Sequence, residues 1–304
     1  MTPIDFINRL TQQKEREAVF GEAAIRLLYG QGWLATLIGR PLRCLASKYS
    51  LFSRMVGWWQ QRSWTKAQIK PFIETYQIDV AEFLDPVEGF SCFNDFFIRK
   101  LKPTVRPIAD GGDDRIAVIP ADGRYLLYPQ LATTQLVDVK GRRLNLTELL
   151  GDQALGRRYE QGSLVMARLC PTDYHRFHFP ITCVPTSSRL INGALYSVNP
   201  IAIKQNIRIF SENKRMITKL YSPLFGDVLC IEVGATTVGS IHQTYAPDCR
   251  QEKGAEKGFF SFGGSSMLLL FLPGSIAFDE DLLQAMDHGL EIRCLMGQRL
   301  GTCS

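Results

Sequence analysis

The chain has 304 residues, 45% of them hydrophobic, with 35 Lys/Arg against 30 Asp/Glu. That length buries a large core as one domain or two. The positive excess is confined to one end, since residues 1–75 hold 11 Lys/Arg and 5 Asp/Glu while the whole chain is +5; nucleic-acid binders interleave their basic residues with the fold, so that class is excluded.

In chain order, the first unusual stretch is Ala23–Ile73, which contains no Asp or Glu, eight Lys/Arg and all four tryptophans, Trp33, Trp58, Trp59 and Trp64. Its longest charge-free run, Leu27–Gly39, is too short to span a bilayer. Tryptophan beside cationic side chains suits a lipid headgroup zone, and Leu51, Met55 and Trp58 share one helical face. The bland alternative is a helical hairpin packed on the core. Ala67–Phe83 reads as a helix that stops at Asp85-Pro86. Arg99, Lys100 and Lys102 read as a solvated basic face, with a place near lipid phosphate as the lesser reading.

From residue 116 the pattern changes to short β-rich runs punctuated by Gly, Pro and Asn. The runs are Arg115–Ile119, Arg124–Pro129, Gln135–Val139, Ser163–Leu169, Ala194–Val198, Arg208–Phe210, Val228–Val233, Thr237–His242 and Met267–Leu272. The expected fold class is α+β: N-terminal membrane-associated helices over residues 1–75, then a β-rich catalytic domain over 76–304. The eight cysteines include no C-x-x-C pair and read as reduced packing thiols of a cytosolic protein. Asp5, Glu15 and Glu17 near the start argue against a mitochondrial transit peptide.

The chemistry is concentrated late. Phe262-Gly263-Gly264-Ser265-Ser266 lies between a charged, Gly-rich loop and an apolar run. Glycines there permit backbone conformations closed to other residues, and a serine hydroxyl after such a hinge can reach a carbonyl. That carbonyl belongs either to a substrate or to the chain's own Gly264-Ser265 bond. Ser266 is a second candidate by spacing. A serine needs a base, for which histidine with a carboxylate partner is the usual solution. His175 and His178 sit in one aromatic segment; as H-x-x-H they also match half of a metal site, with no third ligand at a standard spacing. Asp122, taken alone, reads as an Asp-Gly turn residue.

Four further segments stand in order with the Gly-Ser string. They are Phe93-Asn94-Asp95-Phe96-Phe97-Ile98-Arg99 followed by Arg106-Pro107-Ile108, then Pro120-Ala121-Asp122-Gly123, Asp173 to Pro180, and Val233 to Ile241. Together they resemble the phosphatidylserine decarboxylase family, over about Phe72 to Gly301. The resemblance implies a catalytic Asp122, His178 and Ser265, with His175 as a proton-transfer candidate. It implies self-cleavage at Gly264-Ser265 into residues 1–264 and 265–304, which stay associated, and a covalent pyruvoyl group made from Ser265 as the cofactor, with no metal. The implied partners are phosphatidylserine and a phospholipid membrane surface, the implied product is phosphatidylethanolamine, and a homo-oligomer is compatible. The implied location is the cytoplasmic face of a bacterial cell membrane, as a peripheral protein. An uncleaved Ser-His-Asp lipid hydrolase and a non-catalytic membrane-binding module stay open as alternatives. Against the hydrolase, no Gly-x-Ser-x-Gly elbow surrounds Ser265.

Overall fold

The apolar alternation along the late strands decides the architecture. On β5 (Ser163–Leu169), β10 (Gly226–Gly234) and β13 (Ser265–Phe271), both faces are buried. Val165, Ala167 and Leu169 point to one core, as do Val228 and Cys230, and Met267, Leu269 and Phe271. Leu164, Met166, Leu229, Ile231, Val233, Leu268 and Leu270 point to a second core on the opposite face. Burying such side chains is the main stabilising term, about 1.5–3 kcal/mol for each Val, Leu, Ile or Phe. A strand buried on both faces reads as a continuous apolar run, which is how Met267–Leu272 stood out.

The computed structural model describes residues 4–17, 57–132, 141, 143–235, 240–263, 265–287 and 289–304. These strands belong to a ten-stranded sheet. In chain order its members are β1 (Asp5–Asn8), β2 (Gln13–Arg16), β4 (Gly123–Tyr128), β5, β7 (Val184–Pro185), β8 (Arg189–Ile191), β9 (Arg215–Ser222), β10, β13 and β15 (Glu291–Cys294). Across the sheet the order is β2-β1-β15-β4-β5-β13-β10-β9-β7, with β8 also on β9. One side is covered by a three-stranded sheet of β6 (Arg176–His178), β11 (Ile241–Gln243) and β12 (Glu256–Phe260), whose Phe177 and Phe260 enter the first core. Another small sheet joins β3 (Ile116–Val118), β14 (Ala277–Phe278) and β16 (Arg299–Thr302). The opposite side is covered by helical segments. Leu149, Leu150 and Tyr159 come from Leu146–Leu150 and Gln153–Tyr159, and Phe210 comes from Ile209–Glu212.

Several expectations are corrected. Residues 5–16 are not helical: they form a β-hairpin, and β1 runs parallel to β15, so the N-terminus extends the catalytic sheet. Phe6 is buried under the Arg124 guanidinium, 4.4 Å from its ring, which ties the hairpin down. The helix expected over Ala67–Phe83 is broken. α1 (Ile69–Tyr76) ends at Gln77, which takes a left-handed φ of 51°, and Asp79 caps a separate turn at Val80–Glu82. Arg208–Phe210 is helical rather than extended, because the Asn206 side chain accepts from the Arg208 amide and starts a turn. Ala194–Val198 makes only an isolated bridge, Ala194 to Asn213. The strand expected at Gln135–Val139, most of Ala23–Ile73, and Leu51 and Met55 lie outside the described residues. Among the described residues no helix is long and apolar enough to cross a membrane. The described cysteines are all free thiols, most of them buried.

A second helix, α2 (Phe93–Phe97), packs with α1 and a knot of phenylalanines that includes Phe72, Phe83, Phe90 and Phe262. It brings the early aromatic motif against the late Gly-Ser string.

Candidate active site

Ser265 is the first residue of β13, paired to Leu169 of β5 and Gly234 of β10. Strand parity decides where its side chain goes. Residue 265 continues the series 267, 269, 271 and faces the core under the small sheet, while Ser266 continues 268 and 270 and faces the helices. Ser265 is fully buried. The Ser266 hydroxyl is buried and has no hydrogen-bond partner among the described residues. Just upstream, Gly263 has a φ of +133°, a conformation that favours glycine. Gly264 lies outside the described residues.

His175 immediately precedes β6 and His178 is its last residue. The Ser265 hydroxyl lies 3.4 Å from His175 Nδ1. The other ring nitrogen, Nε2, is 2.9 Å from the Cys170 carbonyl. A carbonyl only accepts, so Nε2 carries the proton and the Nδ1 lone pair faces Ser265. Burial pushes His175 down to about 4, with the nearby Arg99 charge acting in the same direction and Asp173 against it. The ring is neutral at physiological pH and is stacked on Phe97 with 3.9 Å between centroids.

His178 is placed differently. Its Nδ1 donates to the Gly254 carbonyl at 2.9 Å, so its Nε2 lone pair accepts from the Tyr174 hydroxyl at 3.1 Å. Burial lowers this histidine too, with Glu256 and Asp122 pulling the other way. Asp122 is buried and touches neither histidine. Its carboxylate accepts from Arg106 Nε and Nη2 at 3.1 Å and 2.7 Å, and from the Met296 amide at 2.8 Å. Arg106 in turn reaches Glu82 at 2.9 Å.

The three residues expected to meet are therefore not in mutual hydrogen-bond contact. The histidine beside Ser265 is His175, and Asp122 acts on His178 only through space. The physical reason is strand alternation: residues three apart on an extended segment such as 175–178 point to opposite sides, so only one ring reaches β13. Sequence reasoning gave no role to Tyr174 or Arg106, although both stand in segments that it singled out. Arg99 is also corrected, being buried rather than solvated. It donates to the Thr172 and Asp173 carbonyls at 3.1 Å and 3.3 Å, and burial lowers it to about 10. A cavity of about 650 Å³ opens on the far side of the same turn, where Asp122, Arg106 and Tyr174 line it.

Comparison with known proteins identifies the family. The family model described as phosphatidylserine decarboxylase matches residues 93–302. A phosphatidylserine decarboxylase proenzyme of Chlamydia pneumoniae is 49% identical over 296 residues, covering 97% of this chain and 96% of the relative. The protein of the same name from Chlamydia felis is 50% identical over 301 residues, covering 99% of this chain and 98% of the relative. The chain belongs to the phosphatidylserine decarboxylase family.

Proposed function

We propose that this chain cuts itself between Gly264 and Ser265 and then decarboxylates phosphatidylserine to phosphatidylethanolamine and carbon dioxide. The observation that carries the reading is Ser265 itself, buried at the head of β13 after a glycine hinge and facing a neutral histidine lone pair. Membership of a family whose relatives are named as proenzymes supports it and sets aside the hydrolase and the non-catalytic module.

In the cleavage, the Ser265 Oγ adds to the Gly264 carbonyl carbon as a base takes its proton. The C–N bond breaks, the nitrogen gains a proton, and an ester replaces the peptide bond. Loss of the Ser265 α-proton expels the Gly264 carboxylate and leaves dehydroalanine at position 265. Water then replaces the nitrogen, which leaves as ammonia, and a pyruvoyl group remains. Position 265 fits such a group, being fully buried, fixed by two neighbouring strands and faced by a neutral imidazole. The pyruvoyl carbonyl supplies an electrophile for the substrate amine and a sink for the electron pair left by carbon dioxide. The protein's own part is to exclude water there and to place a proton beside it.

We assign cleavage to Ser265 with Asp122 and His178, as the resemblance implies, and proton delivery at position 265 to His175. The Asp122 charge partly offsets the lowering of His178 by burial, and the Pro120 carbonyl accepts from the His178 amide, which ties the two segments together. At 3.4 Å the Ser265–His175 contact is long for a strong hydrogen bond. That same contact favours a second reading, in which His175 serves both stages. One experiment separates them. Under the first, His175→Ala runs as two chains on a denaturing gel but releases no carbon dioxide, and His178→Ala stays full-length. Under the second, His175→Ala is the variant that stays full-length. Wild-type protein that remains one chain with a free Ser265 hydroxyl, by intact mass, would sink both.

The fragment 265–304 should stay bound after cleavage. It supplies β13 between β5 and β10, β15 between β1 and β4, and β16 on β3, so its release would tear the sheet. The membrane-surface role of the N-terminal region rests on Trp58, Trp59 and Trp64. All three are about half exposed, Trp64 stands edge to face with both Trp58 and Trp59, and Arg62 lies 4.0 Å over the Trp58 ring. Aromatic rings beside cations suit an anionic lipid surface on the cytoplasmic face, where the protein would bind peripherally.

A further inference from the structure

The segment running from Phe93 to Arg99 carries the family resemblance, yet the chemistry above gives it no task. In the fold, this one short segment grips three parts of the site. The Asn94 side-chain carbonyl accepts from the Phe262 amide at 2.9 Å, across 168 residues of sequence. Phe97 stacks on the His175 ring. Arg99, just past the end of α2, holds the carbonyls of Thr172 and Asp173 in the turn that carries His175. The Phe262 ring completes the grip, edge-on to Phe93 and Phe97 with centroids 5.3 Å and 5.1 Å away.

The position of Asn94 along the chain is informative. Downstream of the Gly264-Ser265 bond, the backbone is fixed from residue 265 by the ladders to β5 and β10. Upstream, Phe262 is fixed by Asn94, which is itself buried. Only Gly263 and Gly264 lie between these anchors. Glycine has the largest backbone freedom of any residue, so two glycines without an upstream anchor would sample many conformations in which the carbonyl misses the hydroxyl. Anchoring both ends of a two-residue link limits the conformations open to it. Attack within a chain depends steeply on such confinement, and a misplacement near 1 Å costs on the order of 100-fold in rate. The same helix fixes His175 by stacking, so the scissile segment and the histidine are registered against one rigid element.

We propose that Asn94 is a positioning residue for self-cleavage, holding the Phe262 amide so that the Gly264 carbonyl is presented to Ser265. The proposal rests on the reading that the chain cuts at Gly264-Ser265. It assigns Asn94 a task in maturation and none in the turnover of phospholipid.

The structure offers a matched control. Thr65, also buried, accepts from the Phe93 amide through its hydroxyl at 3.0 Å. Thr65→Val therefore removes a side-chain-to-backbone hydrogen bond at the start of the same helix, together with the bonds that the hydroxyl donates to the Arg62 and Gln60 carbonyls, without removing a hydrogen bond to the cleavage segment. Cleavage of full-length protein is followed on denaturing gels well below the melting temperature, beside thermal melts of each variant. Asn94→Leu is expected to slow the first-order cleavage by on the order of tenfold or more. Asn94→Asp keeps an acceptor oxygen for the Phe262 amide and should recover most of the rate. Thr65→Val should lower the melting temperature comparably yet cleave at close to the wild-type rate. The part of Asn94→Leu that does mature should show wild-type KM and kcat on phosphatidylserine vesicles. Should Asn94→Leu fail to fold, Asn94→Ser, too short to reach Phe262, takes its place with the same expected slowing. Equal rates for Asn94→Leu and Thr65→Val, or an Asn94→Asp no faster than Asn94→Leu, would overturn the proposal. An uncleaved wild-type protein, read from its own lane, sinks the cleavage reading instead.

Discussion

Two regions of this molecule treat their apolar and reactive groups in opposite ways. Around Ser265 nearly everything is inside: the serine, His175 and Phe97 are fully buried, and each histidine nitrogen has a partner. Around residues 58–64 large aromatic rings are left outside, with Trp58, Trp59 and Trp64 exposed at 53%, 49% and 54%. The proposed reaction, which turns on a serine, its own backbone and neutral histidines, needs exclusion of water, which strengthens every interaction within. Exposed indole rings in water are a cost, and binding to a lipid surface would relieve it. The contrast predicts that the two regions separate experimentally: one controls whether the enzyme matures, the other where it works.

The largest expected effect tests the buried region. Ser265→Ala should leave the chain full-length on a denaturing gel and without decarboxylase activity, because no hydroxyl remains to attack Gly264. Two bands from that variant would move the cleavage elsewhere, with Ser266 the first suspect. The next effect tests the exposed region. Replacing Trp58, Trp59 and Trp64 together by Ala should cut sedimentation with anionic vesicles on the order of 100-fold, in a part that resists salt, yet leave self-cleavage intact. Loss of cleavage in that triple variant would show that the regions are one unit and break the comparison.

A smaller effect concerns pH. In the folded chain His175 resists protonation until about pH 4, whereas an unfolded histidine takes a proton near 6.5. Between those values the unfolded state binds more protons, so stability is unaffected above pH 6.5 and falls as pH is lowered toward 4. Over the whole window the loss is about 3 kcal/mol, at about 1.4 kcal/mol per pH unit. Burial also lowers His178, so any histidine-linked loss of self-cleavage on acidification should fall below pH 6.5. Urea melts and cleavage rates taken from pH 8 to pH 5 check both statements; a cleavage rate that halves near pH 6.5 would mean that a solvated histidine is the base. The smallest effect sharpens the parity of β13. Ser266→Ala should cleave within about twofold of wild type, and its melting temperature should hold or rise slightly, since its buried hydroxyl has no partner to lose.

Much of this was legible in the chain. The string Phe262 to Ser266, the aromatic segment with His175 and His178, and the Asp122 turn were each recognisable from residue types and order. The strands Ser163–Leu169 and Met267–Leu272 announced themselves because both of their faces are buried. Segments held by long-range contacts were not legible. The hairpin at residues 5–16 is a strand pair because β15, nearly 300 residues away, offers it an edge. Arg99 looked like surface charge, and it is buried because two carbonyls of a turn about 70 residues later accept its hydrogen bonds.

By itself the sequence determined the family and offered Ser265, Asp122, His175 and His178 as candidates, because those follow from residue chemistry and order along the chain. Only the tertiary structure decided which histidine stands at Ser265, that Asp122 is spent on Arg106 and the Met296 amide, and that Asn94 grips Phe262. Such pairings depend on strand parity, turn direction and contacts between segments far apart in the chain. No local pattern encodes them, and they exist only once the two faces of β13 have been assigned to their cores.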